Sequence, residues 1–214
     1  TVWSYEIGAR TEWLENRLRL NATLFDVTYS ELQLPALAFQ PAPGEAPTFV
    51  TNNAGKLNVQ GAEIEVSAAI ADGFNVYTNI GLQDAKYTDI SPGAAASGFI
   101  IGVTVPQRAP DYTIQAGFDY SSYMDDLNGD VTFAADIQMT DDYWMSGQNP
   151  PDSFNDGFET VNATISWDHE DGSWGIQLGC KNCLDERYVT TDFLDSRFIG
   201  DPMRWSIRFK YAFN

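Results

Sequence analysis

The sequence predicts an all-β fold, an antiparallel up-and-down meander of about nine strands. Three observations carry that expectation. Apolar and polar residues alternate with period two in segment after segment, the mark of a strand with one apolar face. No segment shows a convincing helical period. The connections between alternating segments are short and long by turns along the chain.

The terminal segment alternates most clearly. Trp205, Ile207, Phe209, Tyr211 and Phe213 share one face, and Arg204, Ser206, Arg208, Lys210 and Ala212 the other. Val161, Ala163, Ile165 and Trp167 repeat the pattern against Thr160, Asn162, Thr164 and Ser166. So do Tyr112, Ile114, Ala116, Phe118 and Tyr120 against Thr113, Gln115, Gly117 and Asp119. In 62–70, Ala62, Ile64, Val66, Ala68 and Ile70 oppose Glu63, Glu65, Ser67 and Ala69. The expected strands are 2–11, 17–29, 57–70, 74–87, 111–122, 130–142, 158–169, 174–184 and 203–213. Most reach the roughly nine to eleven residues of a membrane-crossing strand. Soluble strands run nearer about five or six.

Short turns are expected at Leu14-Glu15-Asn16, Ala71-Asp72-Gly73, Asp125 to Gly129 and Glu170 to Ser173. Asp-Gly and Asn-Gly pairs in three of them suit backbone with φ > 0. The longer connections are 30–56, 88–110, 143–157 and 185–202. All short turns then fall at one end of the sheet and all long loops at the other, as in outer-membrane barrels. Trp3, Trp13, Tyr29, Phe74, Tyr87, Tyr112, Tyr143, Trp144, Trp174, Tyr188 and Trp205 gather near strand ends, where amphipathic rings meet lipid headgroups. The other face carries Glu63, Glu65, Asp136, Lys181, Arg204, Arg208 and Lys210, which suits a wet or plugged lumen. The expectation is therefore part of a larger transmembrane β-barrel. Nine strands would leave two open edges, and bacterial single-chain barrels have even counts, so further strands are expected upstream.

Composition narrows the function. A net charge of -18 and pI near 4.1 oppose nucleic-acid binding, because phosphates are repelled. No apolar run of about 18 residues marks a spanning helix, which leaves strand-built spans open. No signal peptide is visible, and the chain opens mid-pattern, as though cut from something longer. Cys180 and Cys183 invite a redox or zinc reading. Placed on one strand over 174–184, however, their Cα atoms would lie roughly 10 Å apart on opposite faces. That is beyond disulfide reach, so they are expected to be two small strand residues.

No catalytic constellation or cofactor motif is legible. His169, the single histidine, flanks a tight turn. Glu63 and Glu65 share a face like a glycosidase pair, but solvated lumen-facing groups fit better. Asp125, Asp126, Asn128 and Asp130 lack the glycine placement of a calcium loop and fit a turn. Asn21-Ala22-Thr23 and Asn162-Ala163-Thr164 match glycosylation acceptors but fall on expected strands. Phe39, Phe49, Phe99, Tyr143 and Trp144 of the long loops, with Trp3 nearby and several carboxylates, could supply ligand contacts, or only shield a barrel mouth.

Several stretches resemble the TonB-dependent receptors of the bacterial outer membrane. They are Ser4-Tyr5-Glu6-Ile7-Gly8-Ala9-Arg10 with Leu18 to Phe25, and Asn53-Ala54-Gly55 with Gln60-Gly61-Ala62-Glu63-Ile64-Glu65. Val105 to Pro110 follows, and then Lys181-Asn182-Cys183-Leu184-Asp185-Glu186-Arg187-Tyr188 with Gly200 to Arg204. Gly61, Glu63, Asn182, Leu184, Asp185 and Tyr188 carry the family pattern. Cys183 and the final Asn214 depart from it. The resemblance implies that residues 1–214 form the C-terminal portion of a receptor barrel, without its plug domain and upstream strands. It implies a transport receptor rather than an enzyme, for a scarce small-molecule ligand such as a siderophore, cobalamin or saccharide. Outer-membrane lipid and the TonB energy-coupling complex would be its partners. The barrel-assembly machinery would read the terminal strand through Tyr211 and Phe213. The rival reading is a soluble all-β ligand- or carbohydrate-binding module with an apolar interior.

Overall fold

A computed structural model describes residues 1–37, 49–193 and 196–212. Thirteen strands are formed among them. They are β1 (Val2–Trp13), β2 (Leu18–Leu37), β3 (Phe49–Ala71), β4 (Phe74–Ile90), β5 (Tyr112–Met124), β6 (Gly129–Thr140) and β7 (Tyr143–Trp144). Then come β8 (Phe154–Asn155), β9 (Phe158–His169), β10 (Trp174–Lys181), β11 (Val189–Phe193), β12 (Ser196–Ile199) and β13 (Arg204–Tyr211). Nine of them make one antiparallel sheet in the order β1-β2-β3-β4-β5-β6-β9-β10-β13. This is the meander expected from the alternation. The sheet does not close on itself.

The register converts alternation into two continuous faces. On the apolar face Ile207 opposes Leu178, Leu178 opposes Ile165, Ile165 opposes Phe133, Phe133 opposes Tyr120 and Tyr120 opposes Phe74. On the polar face one row runs Arg10, Asn21, Glu65, Asn79, Gln115, Gln138 and Thr160 across seven strands. A one-residue slip anywhere would exchange the two faces, so the pattern fixes the register.

The apolar face is not buried. Ile207 is 75 % exposed, Phe209 64 % and Ile7 73 %. A soluble barrel or sandwich would hide these side chains against a second layer, and the rival soluble reading fails on that point.

The turns fall where expected, with left-handed backbone at Leu14, Glu15, Asn16, Asn128, Gly73 and Gly172. The other ends differ from expectation. β2 and β3 run 20 and 23 residues, so their hairpin continues as paired strand through much of 30–56. At about 3.3 Å per residue β3 extends roughly 75 Å, well beyond a membrane's thickness. The other long connections hold structure too: a single-turn helix α1 (Pro92–Ala96), the β7–β8 pair and the β11–β12 pair. Ser91 caps α1 by accepting the Ala94 amide at 3.2 Å.

β10 stops at Lys181, short of the expected 184. Asn182 turns the chain back with φ 46°, and the Cys183 amide donates to Val161 O at 2.7 Å. Cys180 and Cys183 are thereby 5.6 Å apart at Cα and form a disulfide. The expectation of two unbridged strand cysteines is corrected. It assumed extended backbone through Asn182, and one left-handed residue halves the separation.

Candidate functional site: the polar face and the loop cap

The polar face is a hydrogen-bonding wall. Three carboxylates have an asparagine directly opposite on the next strand. Asn21 donates to Glu65 at 2.9 Å, Asn75 to Asp119 at 2.8 Å and Asn162 to Asp136 at 2.8 Å. A carboxylate that accepts an amide keeps its charge near a low-dielectric wall at lower cost. Glu12 pairs with Arg19 at 3.0 Å. A groove of about 480 Å³ runs along the middle of this face, lined by Glu63, Glu65, Asn79, Gln115 and Gln138 among others. Glu63 thus lies on the polar face, as its alternation required. Gly61 lies on the same face under the Phe25 ring. A Cβ there would fall 2.1 Å from the Leu82 carbonyl oxygen and 2.6 Å from Phe25 Cζ, so only glycine fits between ring and neighbouring strand.

The loops between β4 and β5, β6 and β9, and β10 and β13 form a second structure at one rim of the wall, with Leu32, Leu57 and Ile90 of β2, β3 and β4 packed against its core. They are tied to one another rather than to the wall alone. The Arg108 amide donates to Trp144 O at 2.7 Å, and its guanidinium reaches Thr191 Oγ1 at 2.6 Å. Asn149 accepts the Val105 amide at 2.6 Å and donates back to Val105 O at 3.0 Å. Asn155 donates to Val189 O at 3.1 Å, and Arg197 donates to Asp152 O. Tyr87, Ala94 and Phe99 form a small buried core, with the Tyr87 and Phe99 rings edge to face at 5.8 Å. Trp144 packs on Phe154 at 5.0 Å.

A cavity of about 590 Å³ lies between this cap and the upper end of β4. Asp84, Lys86, Tyr87, Asp111, Asp142 and Trp144 contribute to it. Desolvation, then the neighbouring Asp141, Asp111 and Asp156 charges, push the Asp142 carboxyl above the usual carboxylate range. Asp84 is paired with Lys86 at 2.6 Å.

The motif residues of the last loop are brought together around Asn182. Its side chain accepts the Glu186 amide at 2.9 Å and donates to Glu186 O at 2.8 Å and Asp201 O at 3.0 Å. Its own amide donates to Asn162 Oδ1 at 3.1 Å. Asp185 accepts the Met203 amide at 3.0 Å, which ties the loop's two arms. Tyr188 stacks on Phe158 at 4.3 Å, and Gly200 also lies close against the Tyr188 ring. Leu184 is 61 % exposed and takes no part in this knot. Tyr211 lies at the turn end of β13 on the apolar face. Phe213 and the loop residue Phe39 lie outside the described residues.

Of the other candidates, His169 Nδ1 is 2.8 Å from Asp171 Oδ1 in its turn, and Asp125 to Leu127 form a 3₁₀ turn. Among the described residues no group of three or more His, Cys, Asp or Glu is placed to hold a metal ion. The sequence points to Arg108 only within the Val105 to Pro110 stretch, not to its cross-loop bonds, and does not single out Asn149 or Asn155. Asn149 before Pro150-Pro151 was a legible sign of a left-handed turn, and φ there is 51°.

Residues 1–183 match the family model described as TonB dependent receptor-like, β-barrel. The ferric-pyoverdine M114 receptor PbuA of Pseudomonas sp. (strain M114) is 27 % identical over 98 % of this chain, which spans 24 % of that protein. The ferric yersiniabactin uptake receptor FyuA from Yersinia pestis superposes with a TM-score of 0.79 at 18 % identity, over 100 % of this chain and 30 % of that one. The ferripyoverdine receptor of Pseudomonas aeruginosa, bound to ferripyoverdine, gives 0.70 at 18 % identity over 97 % and 26 %. These structures share the fold. The chain spans about a quarter of the length of the curated relative it matches. With its meander, its short turns at one end and its folded loops at the other, the chain belongs to the TonB-dependent receptor family and is part of an outer-membrane β-barrel.

Proposed function

We propose that residues 1–214 are the C-terminal barrel portion of a receptor that imports a ferric siderophore, energised through the TonB complex. The observation that carries this reading is the pairing of a polar wall with a folded cap of loops at one rim. Such a cap offers aromatic and carboxylate side chains to an external ligand, while the polar wall suits a hydrated passage. The named ligands of PbuA and FyuA favour the ferric siderophore class over cobalamin or saccharides. The plug and the upstream strands belong to the remainder of such a receptor. Gly61 and Glu63 serve the wall, and Asn182, Asp185 and Tyr188 hold the last loop; Leu184 is left to surface contact. The barrel-assembly machinery would recognise Tyr211 and Phe213 on the apolar terminal strand, and lipid would cover that face.

The test is uptake of radiolabelled iron by a receptor-deficient strain expressing the full-length protein. Ferric pyoverdine and ferric yersiniabactin serve as probes, with and without TonB. TonB-dependent uptake of one of them is the expected result. If the protein reaches the outer membrane intact and takes up neither, or takes one up equally without TonB, the reading fails.

A further inference from the structure

We propose that the apolar face carries a preformed seat for one acyl chain of a phospholipid, in the periplasmic half of the membrane band between β4, β5 and β6. The proposal rests on the lipid-facing reading above. Three register rows define the place. Phe74, Tyr120 and Phe133 form the row nearest the short turns; Val76, Phe118 and Ala135 form the next; Thr78, Ala116 and Ile137 form the third. Thr78, Ala116 and Ala135 are small, and they adjoin one another across the three strands. Larger side chains stand around them, with Val66 on one side and Val161 on the other. The result is a groove of about 560 Å³ whose lining on this face is apolar apart from Thr78.

The ridge beside the groove is held by ring contacts. Phe74 meets Phe118 edge-on at 5.9 Å, and Phe118 packs on Phe133 at 5.6 Å. The groove is therefore shaped before a chain arrives, so binding costs mainly the ordering of that chain. A chain seated there gains dispersion contacts on several sides, where an open wall offers one. The described residues supply no segment that covers it.

Position selects the occupant. Phe74 follows the Asp72-Gly73 turn directly. Two residues advance a strand by about 7 Å, so on β4 the three rows fall within roughly the first 15 Å above the Asp72-Gly73 turn. That is the turn-side half of a hydrocarbon core about 30 Å thick. Short turns face the periplasm in such barrels. A phospholipid of the periplasmic leaflet reaches the groove with its chain while its headgroup stays level with the turns. A lipopolysaccharide chain enters from the other side.

The test uses the full-length receptor in native mass spectrometry, with palmitoyl-oleoyl phosphatidylethanolamine as the probe and lipopolysaccharide in a separate arm. Ala116→Trp and, independently, Thr78→Phe fill the groove, while Ile207→Trp changes an open part of the same face. Both filling variants should lower the phosphatidylethanolamine-bound fraction about fivefold, and Ile207→Trp should leave it unchanged. Heat-modifiable migration identifies which variants are folded, and either filling variant alone suffices. Retention by a folded filling variant equal to the parent's, or preferential retention of lipopolysaccharide, overturns the proposal. Quenching of the tryptophan at position 207 by chain-brominated lipid separates the two ideas. No quenching removes the lipid-facing reading, whereas quenching with unchanged retention removes only the groove.

Discussion

The wall and the cap of this molecule are built on opposite uses of apolar side chains. On the wall, Ile207, Phe209 and Ile7 stand out from the sheet. In the cap, Phe99 and Met145 are 3 % and 4 % exposed and Ser153 is wholly buried. The cap is held as a water-soluble domain is held, by removal of apolar surface from water and by buried hydrogen bonds. Among the described residues the wall has no second layer to bury against. Its backbone ladders pair the seven inner strands on both sides and β1 and β13 on one, and its apolar face calls for a solvent that is not water. The same chain thus obeys two solvents, divided near the upper end of β4.

If that division is right, the largest effect of a single truncation lies in the cap. Phe99→Ala removes the ring that meets Tyr87 edge-on and leaves a cavity, at a cost of about 3–5 kcal/mol. Because the cap's bonds run chiefly from loop to loop, the loss should appear as local opening. Hydrogen exchange should speed up for amides of 91–111 and 143–157 and stay slow in β5, β6 and β9. Uniform loss of protection across wall and cap would show that the two regions are one cooperative unit.

A charge on the apolar face comes next. Ile165 lies mid-sheet between Phe133 and Leu178. Ile165→Arg should destabilise the barrel in vesicles by about 1–2 kcal/mol, between the cost of arginine at the bilayer midplane and its small cost at the interface. The adjacent Ser166→Lys, on the polar face, should shift stability by no more than about 0.5 kcal/mol. Denaturant titration of both variants decides it. Equal costs for the two would mean that the faces are not divided between lipid and water.

The two regions were unequally legible in the sequence. The wall followed from period-two alternation, because each strand's pattern is local and the register only has to match rows of like polarity. Turn positions followed for the same reason, with Asn128 and Gly172 taking the left-handed backbone that their residue types favour. The cap did not follow. Its bonds join residues far apart in sequence, such as Arg108 with Thr191, and no local pattern announces them. The motif residues Asn182 and Asp185 were picked out by resemblance, but their work as cross-loop acceptors and donors needed coordinates. The disulfide was misjudged at one residue. Asn182 was a readable candidate for left-handed backbone, and accepting it would have ended β10 early and brought Cys183 back toward Cys180.

The smallest expected effect lies at the turn end of the wall and sharpens its boundary with water. Asp171 accepts the Ser173 hydroxyl at 2.6 Å and the Ser173 amide at 2.8 Å. These bonds, with His169 beside it, hold the carboxyl down to about 2. His169 Nδ1 faces two partners, Asp171 Oδ1 at 2.8 Å and the Asp171 amide at 3.4 Å. As an imidazolium it donates to the carboxylate, and as a neutral ring it accepts from the amide. A carboxyl whose folded pKa is depressed stabilises the fold above its ordinary value near 3.8 and loses that contribution as pH falls through about 2. The turn should therefore loosen between about pH 4 and pH 2, and only locally, because the group is open to water. Exchange of the Ser173 amide, corrected for its intrinsic rate, should rise across that window. In Asp171→Asn the rise should vanish, since the amide oxygen accepts from Ser173 at every pH. A parent protein whose Ser173 amide keeps the same protection at both ends of the window would show that the carboxylate does not hold the turn.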